Sequence, residues 1–301
     1  METGRAYSLP GGGDILMSVR TILGPLRYPA DLRTLMFLCI LNFLFAVQWL
    51  NVARGWYLLL PTYILAVVAL VIKHNHVHSP TFRAHNWNSG FEIWLSLLTA
   101  HPTSGIITSH NVLHHGKNNS EADFVRCSLV RYHNNLANLV AFFFASVTQM
   151  YRNKPTDLKE WRSSRPALYR QAIAERVLTY SFLGLLVLLD WRSTLKYCAG
   201  PWLFAQWVLV TINLLQHQDC DFHSEFDHSR NLTGRIVNWL LLNNGYHTAH
   251  HMFPPAHWSV LPLIHERVVA PRLDPSLNEP SLWLCVWRRF IVGKDWQGAR
   301  A

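Results

Sequence analysis

The sequence predicts an all-α integral membrane protein with about four transmembrane helices and a helical cap on the cytoplasmic side of the bilayer. The composition is the first reason, because half of the 301 residues are hydrophobic and only 15% are charged, a balance too apolar for a soluble domain. The second reason is that uncharged stretches of membrane-spanning length recur along the chain. The third is the position of the histidines, many of which follow or lie between these stretches.

Two apolar stretches in the amino-terminal quarter, 34–53 and 55–73, are each long enough to cross a bilayer. About 20 helical residues at 1.5 Å each span the roughly 30 Å hydrocarbon core. A second pair of stretches, 177–191 and 197–216, follows later in the chain, and the brief connection between them, near 190–199, predicts a helical hairpin. The stretch 177–191 is the shortest of the four predicted spans.

The basic residues indicate the orientation of these spans. The net charge of +9 would suit nucleic acid if the basic residues formed one patch, but they are spread among loops beside apolar stretches. Lys and Arg concentrate in cytoplasmic loops and are attracted to anionic lipid head groups. The long segments 74–175 and 217–301 carry most of them. We therefore expect these segments to form the cytoplasmic cap, and we expect no nucleic-acid partner.

Two uncharged stretches inside the predicted cap, 93–109 and 132–151, are interpreted as interfacial or re-entrant. If each crossed the bilayer fully, the histidines between them would lie on the opposite side from the other histidine clusters. We therefore expect both stretches at the cytoplasmic surface. Because the chain shows no internal repeat and no low-complexity linker, residues 1–301 are expected to form one membrane-embedded domain.

The first histidine cluster lies where the second predicted span ends. In the segment His-Asn-His-Val-His, His74 and His78 are four residues apart, so on a continuing helix they share one face and His76 points away from it. An isolated pair of this kind is more often structural than metal-binding. Two further clusters combine the same spacing with a double histidine, which strengthens the metal-binding interpretation. These clusters are His110-Asn-Val-Leu-His114-His115 and His247-Thr-Ala-His250-His251.

In both of these clusters, the second histidine of the double lies about 100° around the helix from the first, so each cluster can serve two nearby ions. A further polar pair, Asn213 and His217, ends the fourth predicted span, at a depth where polar residues are costly and usually functional. The alternatives for this pair are a helix-end cap and an interhelical hydrogen bond.

Together the clusters predict a site with two metal ions. Nine imidazoles are more than one tetrahedral or octahedral ion can use, but they suit two ions with four or five nitrogens each. Nitrogen ligands fit Fe, Cu, Ni or Zn, and the Glu-rich pattern of soluble four-helix di-iron proteins is absent from the sequence. The predicted ligands are His74, His78, His110, His114, His115, His217, His247, His250 and His251, with Asn213 as a tenth candidate.

The other polar residues near the clusters are expected to support the site or to lie at the surface. Carboxylates can accept the second ring N–H of a ligand histidine and so fix the orientation of the ring. The candidates for this role are Asp123, Asp219, Asp221, Glu225 and Asp227. The histidines expected at the surface or behind the ligands are His76, His85, His101, His133, His223, His228, His257 and His265.

The order and spacing of the three clusters resemble the histidine boxes of the membrane fatty acid desaturase and hydroxylase superfamily. The resemblance spans about residues 35–265. His110-Asn-Val-Leu-His-His followed by Gly-Lys-Asn-Asn is similar to the second box of acyl-lipid desaturases, and Asn244-Gly-Tyr-His-Thr-Ala-His-His-Met-Phe-Pro254 is similar to their third box. Asn213 with His217 matches the Asn-x3-His unit of stearoyl-type desaturases.

This resemblance implies that the nine histidines hold two irons, that Asn213 reaches one of them through water, and that O₂ is the co-substrate. Acyl-chain desaturation is the expected reaction, on a hydrophobic lipid or acyl substrate. Hydroxylation or ketolation of an acyl lipid, alkane or carotenoid relies on the same boxes and stays open as an alternative. A haem- or metal-binding membrane protein without enzymatic activity is a more remote one.

Three departures from the family pattern bear on these expectations. The first box reads His-Asn where many desaturases have His-Asp, and the third box begins with His247 where front-end desaturases have Gln. The position of attack on the substrate therefore does not transfer. The segment Pro10-Gly-Gly-Gly lacks the His-Pro-Gly-Gly signature of a fused cytochrome b5.

The resemblance then implies a separate electron donor of the cytochrome b5, ferredoxin or rubredoxin type. It also implies a multi-pass enzyme in the membrane, with its active site on the cytoplasmic side. A plasma membrane and an endoplasmic reticulum membrane fit this expectation equally well.

Overall fold

The computed structural model describes residues 24–130, 135–152 and 157–293, and it is mostly helical over these ranges. Three features of the sequence lie outside the described residues. They are His133, the Pro10-Gly-Gly-Gly segment and the start of the stretch 132–151.

The first two helices agree with the first two predicted spans. Helix α1 comprises Asp31–Trp49 and helix α2 comprises Trp56–His78, and both are long and apolar enough to cross a membrane. The two helices pack against each other, and the side-chain amide of Gln48 donates a hydrogen bond of 2.7 Å to the hydroxyl of Thr62. Because a buried amide needs such a partner, this bond helps to fix the register of α1 and α2 near their connecting loop.

Three helices follow within the predicted cap. Helix α3 comprises His85–Thr99, helix α4 comprises Asn135–Arg152 and helix α5 comprises Asp157–Ser164. The uncharged stretches 93–109 and 132–151 overlap α3 and α4, and both helices bury part of their surface against the rest of the chain. The location of these stretches at the cytoplasmic surface stays a prediction.

A continuous helical run, Pro166–His217, forms the third candidate membrane span. It consists of helix α6 (Pro166–Thr194), a π-helical turn (Leu195–Ala199) and helix α7 (Gly200–His217). At Asp190 the backbone leaves the helical conformation, with φ of −154° and ψ of 88°. The run therefore contains both stretches that the sequence predicts as the third and fourth spans.

The chain bends sharply at Asp190. The hydroxyl of Thr194 donates a hydrogen bond of 2.9 Å to the carbonyl of Leu186, eight residues earlier, whereas about 12 Å would separate these residues along a straight helix. The predicted connection near 190–199 is itself helical, apart from the non-helical backbone angles of Asp190. A helical connection keeps the backbone polar groups bonded to one another in an apolar setting.

Contacts at the bend show which helix ends lie together. Arg54, in the loop between α1 and α2, donates a hydrogen bond of 2.7 Å to the hydroxyl of Ser193. Helix α7 then packs along α2, with the rings of Tyr63 and Phe204 5.2 Å apart. Both rings belong to the first half of their helix, so α2 and α7 run in the same direction. Their histidine-bearing carboxyl ends consequently lie side by side.

The carboxyl-terminal part of the chain encloses these ends with short segments. Its α-helices are α8 (Arg235–Leu240), α9 (His247–Met252), α10 (Leu261–Ile264) and α11 (Leu282–Val286), and its paired parallel strands are β1 (Asn231–Leu232) and β2 (Asn278–Glu279). Among the described residues, 3-10 helices cover Thr103–Ile106, Cys127–Leu129, Trp258–Val260 and Pro275–Leu277. Further π-helices cover Ile107–His114, His265–Val269 and Trp287–Val292, and one α-helical turn covers His115–Lys117.

Candidate metal centre

Nine histidines lie together at the carboxyl ends of α2 and α7, in two groups. Within each group, one side-chain nitrogen from every histidine lies within 4.8 Å of the others, which is close enough for the group to share one metal ion. The five-histidine group consists of His74, His78, His110, His115 and His250. The four-histidine group consists of His114, His217, His247 and His251.

The two groups are neighbours. The rings of His115 and His251, one from each group, stack with their centroids 4.3 Å apart. The ring of His114 in the four-histidine group also lies 5.6 Å from that of His115. The fold therefore brings all nine predicted histidines into two adjacent clusters that can each hold a metal ion. The ligand role of each residue stays a prediction.

Helix α2 supplies the first pair of the five-histidine group. The rings of His74 and His78 lie 5.0 Å apart, as expected for side chains four residues apart on one helix face. His76 lies on another side of α2, where its Nδ1 is 2.9 Å from the hydroxyl of Thr81 and its ring contacts Phe91. The prediction that His76 points away from the pair is thus confirmed.

A π-helix divides the second cluster between the two groups. In the segment Ile107–His114 the backbone hydrogen bonds span five residues instead of four. His110 and His115 consequently share a face, and their Nε2 atoms lie 3.1 Å apart. His114 points into the four-histidine group, 5.1 Å from the ring of His217. The expected α-helical pairing of His110 with His114 was wrong, because the wider turn moves the shared face by one residue.

An ordinary α-helix divides the third cluster. His247 and His251 are one turn apart in α9, and their rings lie 4.4 Å apart in the four-histidine group. His250 lies on a different face of α9, where its ring is 4.6 Å from that of His74 in the five-histidine group. Helix α9 therefore contributes side chains to both groups and fixes their relative position.

Strand β1 holds α9 in place. The side-chain oxygen of Asn231 accepts a hydrogen bond of 3.1 Å from the backbone N–H of Thr248, and its amide donates one of 2.9 Å to the Thr248 hydroxyl. Just before α9, Gly245 approaches β1 so closely that a Cβ atom would lie 2.1 Å from the carbonyl oxygen of Leu232. Glycine is the residue that permits such an approach. Sequence reasoning assigned no role to Asn231 or Gly245, although Gly245 stands two residues before the third cluster.

A buried arginine stabilises the end of α7, where His217 lies. Arg230 is fully buried, and its guanidinium donates hydrogen bonds to the carbonyl oxygens of Leu215 and Gln218. Both carbonyls are at the carboxyl end of α7, where a positive charge is favourable. Arg230 was also missed from the sequence, because its partners are backbone atoms that only the folded loop brings near it.

Hydrogen-bond acceptors set the orientation of two rings in the four-histidine group. Nδ1 of His114 lies 3.0 Å from the carboxylate of Asp123, and Nδ1 of His217 lies 3.2 Å from the carbonyl oxygen of His228. Because a carboxylate and a carbonyl only accept, Nδ1 donates in both rings and Nε2 keeps its lone pair. Among the five carboxylates predicted for such a role, Asp123 is found in it.

Asn213 lies one turn before His217 on α7. Its side-chain amide donates a hydrogen bond of 3.1 Å to the carbonyl oxygen of Val125. The backbone N–H of Val125 in turn donates one of 3.0 Å to the Asp123 carboxylate. One short loop therefore positions both Asn213 and the hydrogen-bond partner of His114. A metal-binding role for Asn213 stays a prediction.

The electrostatics of the site favour neutral imidazoles. Burial lowers the pKa of His110, His247, His250 and His251 well below the ordinary value, and the neighbouring histidines lower it further. The neutral ring is the form that binds metal. The Nε2 atoms of His114, His250 and His251 are buried and have no hydrogen-bond partner. Buried polar atoms normally have one, and a metal ion would satisfy these three.

The histidines predicted to lie outside the ligand set differ in burial, and the sequence carries no periodic signal for this difference in the loops. His85 and His223 are exposed, His101 is half-buried, and His76, His228, His257 and His265 are buried.

The family comparison agrees with this geometry. The sequence model of the fatty acid desaturase family matches residues 22–279 of the chain. The chain belongs to the fatty acid desaturase family. The match covers all three histidine clusters and confirms the resemblance predicted from them. No curated protein matches the chain.

Membership of the fatty acid desaturase family describes the protein at a general level. It is an oxidoreductase of the desaturase and hydroxylase type, associated with membranes and acting on lipid. The family uses iron, and the two histidine groups of this chain can bind metal. The long apolar helices α1 and α2 agree with membrane association.

Proposed function

We propose that this desaturase-family protein is a di-iron enzyme that uses O₂ to oxidise an unactivated C–H bond of a lipid, and that acyl-chain desaturation is its reaction. The observation that carries the proposal is the pair of adjacent histidine groups, with five and four nitrogens available to two ions. The proposed iron ligands are His74, His78, His110, His115 and His250 at one site and His114, His217, His247 and His251 at the other, with Asn213 reaching the second iron through water.

The donor set suits iron. Imidazole nitrogen is a good ligand for iron, and four or five nitrogens leave a place for water or a co-substrate on an octahedral ion. The bound irons would supply the reduction of O₂ with two external electrons and the removal of hydrogen from carbon. In a desaturation, the substrate gives up two hydrogens, that is, two protons and two electrons. Together with two electrons from the donor and two further protons, these reduce one O₂ to two waters.

The protein's own residues would orient the ligands and exclude water. The Asp123 carboxylate and the His228 carbonyl hold the proton of their histidine partners at Nδ1, so that Nε2 faces the site. Arg230 fixes the end of α7, and β1 fixes α9. The side chains of His114, His217 and His247 are almost completely buried, which protects reactive species from side reactions with bulk water.

We propose that the chain crosses the membrane four times, with both histidine groups on the cytoplasmic side. The sharp bend at Asp190 supports two crossings within the run 166–217, since the hydrogen bond between Thr194 and Leu186 requires the chain to turn there. The concentration of Lys and Arg in 74–175 and 217–301 supports the cytoplasmic side. On this proposal the whole chain, 1–301, forms one membrane-embedded domain.

Apolar cavities support a hydrophobic substrate. A cavity of about 870 Å³ lies between the start of α1 and α3, and its lining includes Leu35, Cys39, Trp87 and Trp94. A second cavity of about 280 Å³ lies nearer the carboxyl end of α1 and shares Trp94. The larger volume is in the range of small-molecule sites, and the walls of both cavities are suited to hydrocarbon rather than to a polar ligand. We propose that acyl chains occupy this region.

The electrons would come from a separate carrier of the cytochrome b5, ferredoxin or rubredoxin type. Reduction of O₂ to two waters needs four electrons, of which the substrate supplies two when a double bond forms. The other two must arrive from outside the site. A one-electron carrier that docks on the cytoplasmic side twice per turnover would meet this need.

The proposal is tested by metal analysis of the full chain purified in detergent, combined with mass spectrometry of lipids from expressing cells. We expect two irons per chain and a new lipid that is lighter by two hydrogens. A product heavier by one oxygen would replace desaturation by hydroxylation on the same scaffold. Zinc or haem in a fully loaded protein, with unchanged lipids, would contradict the proposed function.

A further inference from the structure

His228 lies in the loop between α7 and β1, outside both histidine groups. The sequence places it among the surface or supporting histidines, but it is 9% exposed. Its ring centroid lies 5.6 Å from that of His251, a distance similar to the 5.0 Å between His217 and His251 within the four-histidine group. His228 is therefore a buried imidazole at the edge of that group.

The proton on the His228 ring is held at Nδ1. Nδ1 of His228 lies 3.0 Å from the backbone carbonyl oxygen of Glu225, which only accepts hydrogen bonds, so Nδ1 is the donor. Nε2 at the opposite side of the ring then carries a lone pair. The same arrangement orients His114 through Asp123 and His217 through a carbonyl.

Nε2 of His228 is buried and has no hydrogen-bond partner. A buried acceptor without a partner costs free energy of about 1–3 kcal/mol, so such atoms normally face a ligand, an ion or an ordered water. Nε2 of His114 and of His251 is in the same state.

The loop that carries His228 is tied to the elements that carry the group. The backbone carbonyl of His228 accepts the hydrogen bond from His217 on α7. The hydroxyl of the next residue, Ser229, lies 2.8 Å from that of Thr248 on α9. His228 is thus held by the same scaffold as His217 and His251, and changes to its side chain leave the backbone bond to His217 available.

We propose that His228 is a fifth nitrogen ligand of the metal in the four-histidine group. The inference rests on the proposed di-iron site. With His228 included, each of the two groups would contain five imidazoles. In the four-histidine group, these five nitrogens and the water held by Asn213 would complete an octahedral shell.

The test measures how much iron the purified, full-length protein retains against a competing chelator. His228→Ala removes the nitrogen donor, and His228→Asn removes it while keeping an amide that can donate to the Glu225 carbonyl. His223→Ala is the matched control, since His223 is exposed in the same loop. We expect the wild type and His223→Ala to retain two irons, and both His228 variants to lose one of them at least tenfold faster.

Rescue with free imidazole separates a ligand from a structural residue. Imidazole added to His228→Ala should restore the second iron and the wild-type X-ray absorption spectrum, because the small molecule can occupy the vacated position. Retention of both irons by His228→Asn, or loss that imidazole does not restore, would assign His228 a structural role and overturn the inference. A wild type that binds no iron would instead contradict the proposed function.

Discussion

The five-histidine group and the four-histidine group are built from the same residue type but differ in their surroundings. Three members of the five-histidine group are partly exposed, whereas His251 is the one partly exposed member of the four-histidine group. The four-histidine group also has a carboxylate, a backbone carbonyl and the buried Arg230 behind it. The ring of His74 in the five-histidine group has a neutral acceptor, the side-chain oxygen of Asn75 at 3.1 Å.

This difference teaches that the two groups are suited to different tasks. Charged and buried hydrogen-bond partners hold metal ligands rigidly, so the four-histidine group is the more firmly built of the two. His78, His110 and His115 are partly exposed, so solvent-borne molecules can reach them more easily than the buried members of the four-histidine group. We expect the four-histidine group to retain its metal more strongly and the five-histidine group to be the more accessible.

The largest effect on activity is expected when a histidine is removed from α9, the helix that contributes to both groups. His250→Ala deletes the contribution of α9 to the five-histidine group, where the His250 ring lies 4.6 Å from that of His74. We expect turnover to fall to background while the protein stays inserted in the membrane, because an incomplete ligand set no longer holds the metal for O₂ chemistry. Product analysis in expressing cells is the measurement. Full activity in this variant, at the level of His223→Ala, would remove His250 from the ligand set.

A smaller effect is expected from a change to Asp123, the hydrogen-bond acceptor of His114 in the four-histidine group. Asp123→Asn keeps an oxygen near Nδ1 of His114 but removes the negative charge that strengthens the bond. We expect the affinity for one of the two irons to fall by about 10–100-fold, measured by chelator competition. Asp221→Asn, at an exposed carboxylate of the loop after α7, is the control. Equal iron retention in the two variants would mean that Asp123 does not support a metal ligand.

The relative position of the groups depends on Gly245, and its substitution tests that dependence. Gly245→Ala would place a Cβ atom 2.1 Å from the carbonyl oxygen of Leu232, so α9 must move away from β1. We expect a loss of about 1–3 kcal/mol in stability and a lower thermal midpoint in detergent. Gly184→Ala is the control, because no heavy atom lies near its added Cβ and alanine favours the helix. Similar midpoints for both variants would show that α9 has room to shift.

The smallest effect on iron retention is expected from a change to Asn75, the hydrogen-bond acceptor of His74 in the five-histidine group. Asn75→Ala removes the neutral acceptor of His74 Nδ1, and a neutral hydrogen bond contributes only about 0.5–1.5 kcal/mol. Iron retention should therefore fall less than in Asp123→Asn, by about tenfold or less. The same chelator assay compares the two. A larger loss in Asn75→Ala would reverse the ranking of the two groups.

The spacing of the histidines was enough to predict which residues meet, but not which of them face each other. His74 with His78 follows the ordinary helical period, which is visible in the sequence. His110 with His115 follows a π-helix, whose register depends on how the backbone hydrogen bonds close in the folded chain. No side-chain pattern distinguishes that choice from an α-helix over eight residues.

The long apolar helices were predictable because length and composition carry the signal. Helices α1 and α2 agree with the predicted spans 34–53 and 55–73 within a few residues. The restriction of the bend to Asp190, and the contacts of Arg230 and of the His228 carbonyl with α7, were not predictable. Each depends on contacts between residues that are brought together by loops, and loops have no hydrophobic period from which such contacts can be inferred.

The central claim is that two neighbouring histidine groups hold two irons in unequal surroundings. Mössbauer spectroscopy of the full-length protein, purified in detergent and loaded with ⁵⁷Fe, tests it most directly. The account predicts two irons per chain and two quadrupole doublets of equal area, of which the one assigned to the four-histidine group changes in Asp123→Asn. A single doublet from one iron per chain, unchanged in that variant, would contradict the claim.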